Sequence, residues 1–148
     1  MSRPTPKRLA PLLIFCLAPL ALVLAQDWDE DRSQAEAQYE IIKLLIKNDE
    51  FGKVPAATQK LFSLKFPESA EQHFVDTAER ISAALSDKHQ YDVAHSVLDQ
   101  ALKACKKKKS HGRLYKEKAW IFKKQGNDGD AMKYFEMANK MLAEVPGS

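Results

Sequence analysis

QGNDGDAMKYFEMANKM, residues 125–141, is the stretch whose reading decides the fold. Gly126, Asn127, Asp128 and Gly129 make a dense turn signal. An apolar pattern at helical spacing follows at once, with Ala131, Phe135 and Ala138 four and then three residues apart. Small residues on either side of a large one let a helix lie close against a partner while the ring fills the gap between them. One hairpin built this way cannot bury its faces alone, so hairpins of this kind stack.

Working back along the chain, the same punctuation recurs. Tyr39, Ile42, Leu45 and Ile46 predict a first helix over about 35–47, stopped by NDEFGK at 48–53. Pro55 suits the first turn of a second helix reaching about residue 65. FPES at 66–69 breaks the pattern. Phe74, Val75, Ala78, Ile81 and Leu85 predict a third helix over about 69–86, and Val93, Ala94, Val97, Leu98, Ala101 and Ala104 a fourth. KKKKSHG at 106–112 is expected to close the fourth helix, with cations at its negative end and Gly112 beyond. Leu114, Tyr115, Ala119, Ile121 and Phe122 mark a fifth helix, and the opening stretch supplies the sixth. Six helices, no credible strand and short connections predict an all-α chain of three antiparallel hairpins. A four-helix bundle with additions is the competing arrangement. The internal period argues against it. Val54, Thr58, Leu61, then Ala94, Leu98, Ala101, then Ala131, Phe135, Ala138 align after similar polar turns, 40 residues (54 to 94) and then 37 (94 to 131) apart.

At this point the chain resembles the tetratricopeptide repeat family, whose unit is a helix–turn–helix of about 34 residues. The third repeat carries the resemblance best: Tyr115, Ala119 and Phe122 match the first helix of the unit, Gly126 its turn, and Ala131, Phe135 and Ala138 its second helix. Ala78, Ile81, Ser82, Leu85, Tyr91, Ala94, Leu98 and Ala101 match in the second repeat, and the first is degenerate at Val54 and Thr58. The junction LFSLKFPESAEQHFVDTAER is similar to those of exported bacterial proteins of this class. The resemblance implies a right-handed solenoid over 35–144, with repeats at about 35–66, 69–109 and 111–144, that holds another protein.

The first 25 residues stand apart. Arg3, Lys7 and Arg8 precede LAPLLIFCLAPLALVLA (9–25), which has no charge and ends with Val23 and Ala25 in the relationship that signal peptidase reads. Cleavage after Ala25 is expected, giving an exported chain, periplasmic or secreted. The other reading is an uncleaved membrane anchor, since this run of 17 residues lies at the lower edge of the roughly 17–25 that span a bilayer. Removing residues 1–25 takes three basic residues and no acidic one, leaving 20 of each sign, so the formal +3 of the whole chain is no argument for nucleic acid. It also removes Cys16 and leaves Cys105 alone, expected to be a small buried hydrophobe. QDWDEDRSQ, residues 26–34, reads as an acidic linker.

Little in the chain carries chemistry. His73, His89, His95 and His111 form no i, i+4 pair and lie near no cysteine, there is no glycine-rich phosphate loop, and no nucleophile elbow. No enzyme activity, metal or cofactor is expected. By the resemblance, first helices line a groove at Arg113, Lys116, Trp120, Lys123 and Lys124 in the third repeat. The corresponding positions are Asp76, Glu79, Ala83, Ser86 and Asp87 in the second, and Glu36, Tyr39, Lys43, Ile46 and Lys47 in the first. The carboxylate-clamp pattern of chaperone-binding relatives is not met at Glu79 and Glu117. The basic cluster around Trp120 is expected to take an acidic or carboxylate-terminated segment of a partner, with packing against the last helix as the plain reading of Trp120. Lys106–Lys109 reads as a solvated helix cap, or, in a membrane-surface reading of the chain, as a patch for anionic lipid. Tyr134, Met137 and Met141 form a second apolar stripe on the last helix, expected to be covered by another chain, either a second copy or a different subunit.

Overall fold

The computed structural model describes the backbone of residues 18–147, with side chains from Trp28 onward. Of the leader proposed at 1–25, residues 1–17 lie outside what is described, and the backbone of 18–25 belongs to the first helix. Six α-helices follow in order: α1 (Ala18–Lys47), α2 (Val54–Phe62), α3 (Glu71–Asp87), α4 (Tyr91–Ala104), α5 (Lys108–Lys124) and α6 (Asp128–Ala143). Short 3-10 turns at Phe51–Lys53 and Glu68–Ala70 lead into α2 and α3. Among the described residues there is no strand, and no helix is long and apolar enough to cross a membrane.

Three turns have one geometry. Asp49, His89 and Gly126 each take positive φ, at 57°, 58° and 76°. In each, the next residue's N–H reaches back five positions, Glu50 to Leu45 O, Gln90 to Leu85 O and Asn127 to Phe122 O, at 2.9 Å in all three. This is the Schellman closure, which satisfies the last carbonyls of a helix and reverses the chain. These turns stand 40 and 37 residues apart, the same intervals as the apolar pattern, and each makes an antiparallel hairpin: α1 with α2, α3 with α4, α5 with α6.

The hairpins pack in series. α3 lies against α1 and α5 against α3, while α2 meets α4 and α4 meets α5. The first helices run parallel. Trp28, in the first half of α1, meets Phe74 near the start of α3 (centroids 6.4 Å apart), and Lys88 pairs with Asp49 just past the ends of the two helices. Between α3 and α5, Arg113 meets Asp76 near the starts and Lys124 meets Asp87 at the ends. Ile42, Val54, Leu61, Val75, Ile81, Leu85, Val97, Leu98, Leu114 and Ile121 form one continuous buried core across these layers. Ala94, Leu98, Ala101, Ala131 and Ala138 are all buried, and Phe135 is half-buried. Thr58 ties α2 to α4 by donating to Gln100 Oε1 at 2.7 Å, while Gln100 Nε2 donates to Pro55 O at 3.1 Å.

Three expectations change. Helix α1 is not confined to 35–47: residues 26–34, read as a linker, are helical, because Trp28 and Ala35 lie one heptad apart on the face that Tyr39 and Ile42 continue and pack against the core. The second helix stops at Phe62, and the chain after it turns Phe66 onto Phe74, stacked at 4.0 Å. The lysine run does not close α4. α4 ends at Ala104, and Lys108 and Lys109 open α5. Cations there oppose the helix dipole, and Glu71 of α3 answers it. Its buried carboxylate accepts from the N–H groups of Lys106 (3.1 Å) and Lys107 (2.8 Å) and from Ser110 Oγ (2.5 Å). Gly112, placed beyond a helix end by the sequence reading, sits inside α5. A Cβ there would come 2.7 Å from Leu142 Cγ, so glycine is what lets α5 and α6 approach.

Candidate functional site

Parallel first helices put the outward side chains of α1, α3 and α5 on one face. On α5 the sequence gathers Arg113, Lys116, Trp120, Lys123 and Lys124 along one side of the helix. Arg113 is spent internally. Its Nε donates to Glu79 Oε1 at 3.1 Å, Nη1 to Gln72 Oε1 at 3.0 Å, and Nη2 to Asp76 Oδ1 and Glu79 Oε2, both at 2.6 Å. A guanidinium with its fork filled by two carboxylates has little to offer a third. Lys124 is paired with Asp87 at 3.2 Å. Glu117, half-buried beside them, has its carboxyl pushed upward by burial and then by the neighbouring Glu79 charge. The α3–α5 seam is therefore an internal ion network that engages Arg113 and Lys124 of the five α5 residues.

Trp120 remains 44% exposed. Its ring meets Phe135 edge-on at 5.2 Å, and Lys123 Nζ lies 4.9 Å from the ring centroid. Trp120 thus rests on the last helix and still presents a surface. Lys116 and Lys123 are exposed and have no carboxylate partner among the described residues.

Between α1 and α3 lies a cleft of about 460 Å³. Tyr39, Leu44, Ile46, Ile81 and Ala84 give it an apolar lining, and Lys43, Lys47 and Arg80 are its cations. Lys43 is engaged by Glu40 at 2.8 Å. Lys47 and Arg80 are exposed and carry no ion pair among the described residues. Tyr39 and Lys43, which the sequence places on the groove, thus stand beside two unpaired cations: Lys47, itself a groove position, and Arg80, which no sequence pattern singles out. Arg80 stands one residue after Glu79, off the face that Arg113 grips. A neighbouring cleft of about 370 Å³ lies nearer the start of α1, lined by Trp28, Tyr39, His73 and Phe74 among others, and its one arginine, Arg32, pairs with Glu36 at 3.2 Å.

The other predicted features are less open. Lys107 donates to Glu68 O at 3.0 Å and Lys108 pairs with Glu144, so the lysine run is partly tied down. Tyr134 packs within its own hairpin, stacked on Phe122 at 5.2 Å with Tyr115 at 6.0 Å, and Met137 and Met141 are half-buried; the exposed methionine of α6 is Met132, at 64%. Cys105 is buried, and burial pushes its thiol up to about 12, which keeps it protonated and unreactive. His95 stacks on Phe122 at 4.0 Å and bonds Gln125 at 3.0 Å, with its pKa lowered by burial, a packed neutral ring. Among the described residues no group of His, Cys, Asp and Glu is gathered as a metal site.

Searched against family models, curated proteins and solved structures, the chain finds no match.

Proposed function

We propose that this chain is an exported helical-repeat scaffold of tetratricopeptide type that holds another protein, perpetuating the stack of hairpins as a short right-handed solenoid. The repeated Schellman turns, the parallel first helices and the serial packing of hairpins support that architecture. The leader pattern of residues 1–25 supports export.

The observation that carries the binding role is the α1–α3 cleft, whose lining combines apolar side chains with two unpaired cations, Lys47 and Arg80. Such a surface matches an extended segment that places an apolar side chain in the cleft and carboxylates on its cations. The acidic partner expected on Arg113 and Trp120 is thereby moved to the neighbouring pair of helices, because Arg113 is neutralised by Asp76 and Glu79.

The test is differential capture. The immobilised chain and its Lys47→Glu/Arg80→Glu double variant are exposed to envelope extract of the native organism, and bound proteins are identified by mass spectrometry. A partner retained by the first and lost by the second, with equal helicity, is the expected result. A partner bound equally by both removes the cleft from the reading, and enrichment of nothing by either removes the scaffold role itself.

A further inference from the structure

The exposed large hydrophobic side chains among the described residues are four, and they divide between the two ends of the stack. Ile41 and Leu44 (48% and 55% exposed) lie on α1, and Trp120 and Met132 (44% and 64%) on the α5–α6 hairpin. Within the stack each hairpin receives the next first helix on its open side: α3 lies along α1, and α5 along α3 and α4. No seventh helix follows α6 among the described residues. The last hairpin therefore presents an uncovered seat of the kind that α5 occupies one step earlier.

The outward face of α1 has the character of a helix made for such a seat. Glu30, Gln34, Ala37, Ile41 and Leu44 recur at spacings of three and four and are all exposed. Along its described part, from Trp28 onward, this face is acidic first and apolar toward the helix end. Asp29 and Glu30 have no ion-pair partner among the described residues. The exposed side of α5 is the complement: Lys109 and Lys116 lie toward its start, then Trp120 and Lys123, and none of the three lysines forms a salt bridge among the described residues. A helix laid parallel to α5, in the direction that α3 runs, brings Glu30 toward Lys109 and Lys116 and brings Ile41 and Leu44 toward Trp120 and Met132.

We propose that copies of this chain associate head to tail, the outer face of α1 of one copy seating on the α5–α6 hairpin of the next. The contact joins two different surfaces of the same molecule, so it propagates into strings, or into a ring if the rotation closes. It uses neither Lys47 nor Arg80, and of the α1–α3 cleft's lining it takes Leu44 at the edge. Its charge pairing lies at an exposed rim, so the association weakens with salt.

Sedimentation velocity on the full chain, in a non-ionic detergent that shields residues 9–25, tests the contact. The wild type should form species larger than a monomer as concentration rises. Asp29→Lys/Glu30→Lys reverses the head, and Lys116→Glu/Lys123→Glu reverses the tail. Each variant alone should be monomeric at concentrations at least about tenfold above those at which the wild type associates, with unchanged helicity by circular dichroism. Mixed in equal amounts, the two should associate again, because each supplies the charge the other lacks. A wild type that stays monomeric overturns the proposal. So do oligomers that survive both reversals, or variants that remain apart when mixed.

Discussion

Glu71 holds the corner between α4 and α5 with one side chain. Its carboxylate is 2% exposed and takes hydrogen bonds from two main-chain amides and the Ser110 hydroxyl. Burial works to raise its pKa, but the bonds from Ser110, Lys107 and Lys106 outweigh burial and hold it below the usual glutamate range. A carboxylate depressed in the folded state adds stability above the unfolded pKa and loses it as pH falls through the folded one. Glu71→Ala leaves those donors without an acceptor and should cost about 2–3 kcal/mol at neutral pH in urea denaturation. The gap between wild type and variant should narrow as the solution is acidified below the glutamate range. A gap that stays constant down to the acid transition would mean that Glu71 acts by packing and not by charge. The same side chain explains why the lysine run was misread. Cations beside a helix end argue locally for a C-terminus, and the acid that reverses the argument comes from 35 residues earlier in the chain. Arg113 shows the same limit: its place on α5 is legible, while its pairing with Asp76 and Glu79 depends on α3 lying alongside in parallel.

At the scale of the elements, what the sequence offered best was spacing. Apolar positions three and four apart located all six helices, because each helix buries one face and periodicity reports that directly. The helicity of residues 26–34 escaped because, among the described side chains, Trp28 and Ala35 are the apolar residues that pack on the core before Tyr39, and they are set among acids. The turns were legible as polar breaks, but their shared left-handed residue was visible only at Gly126, since aspartate and histidine at 49 and 89 do not advertise positive φ. Gly126→Ala should cost about 1 kcal/mol, and His89→Gly at the equivalent turn should gain a similar amount, less whatever the His89–Tyr91 hydrogen bond of 2.9 Å contributes. Opposite signs in chemical denaturation would establish that the turns are equivalent in energy as in shape. The α5–α6 hairpin makes a second demand. Gly112→Ala gains helix propensity of roughly 1 kcal/mol but drives a methyl into Leu142, and Ala138→Leu overfills the same seam from the other helix. Both should lose about 1–3 kcal/mol net, and a melting temperature unchanged by either would show the seam to be loose.

For the whole molecule, serial packing makes stability uneven. α3, in the middle hairpin, lies against first helices on both sides, α1 and α5, and α4 of the same hairpin packs on α2 and α5, whereas α6 packs chiefly on α5. In such an array, stability is close to a sum of each hairpin's own contribution and its contacts with its neighbours. A terminal unit loses one set of neighbour contacts when it opens and a central unit loses two, so the ends open at lower free energy. Hydrogen exchange followed by mass spectrometry should therefore give a gradient. Amides of α3 and α4 should exchange slowest, through near-global unfolding, and those of α6 first, through opening of the last helix alone. Arg113→Ala should sharpen the gradient. Removing the guanidinium strands Asp76 and Glu79 across the α3–α5 seam, uncoupling the last hairpin while leaving α1–α4 protected nearly as before. If α6 and α3 instead exchange at one common free energy, with Arg113→Ala lowering both equally, the chain folds as a single cooperative bundle, and the repeat reading of its architecture gives way to that older alternative.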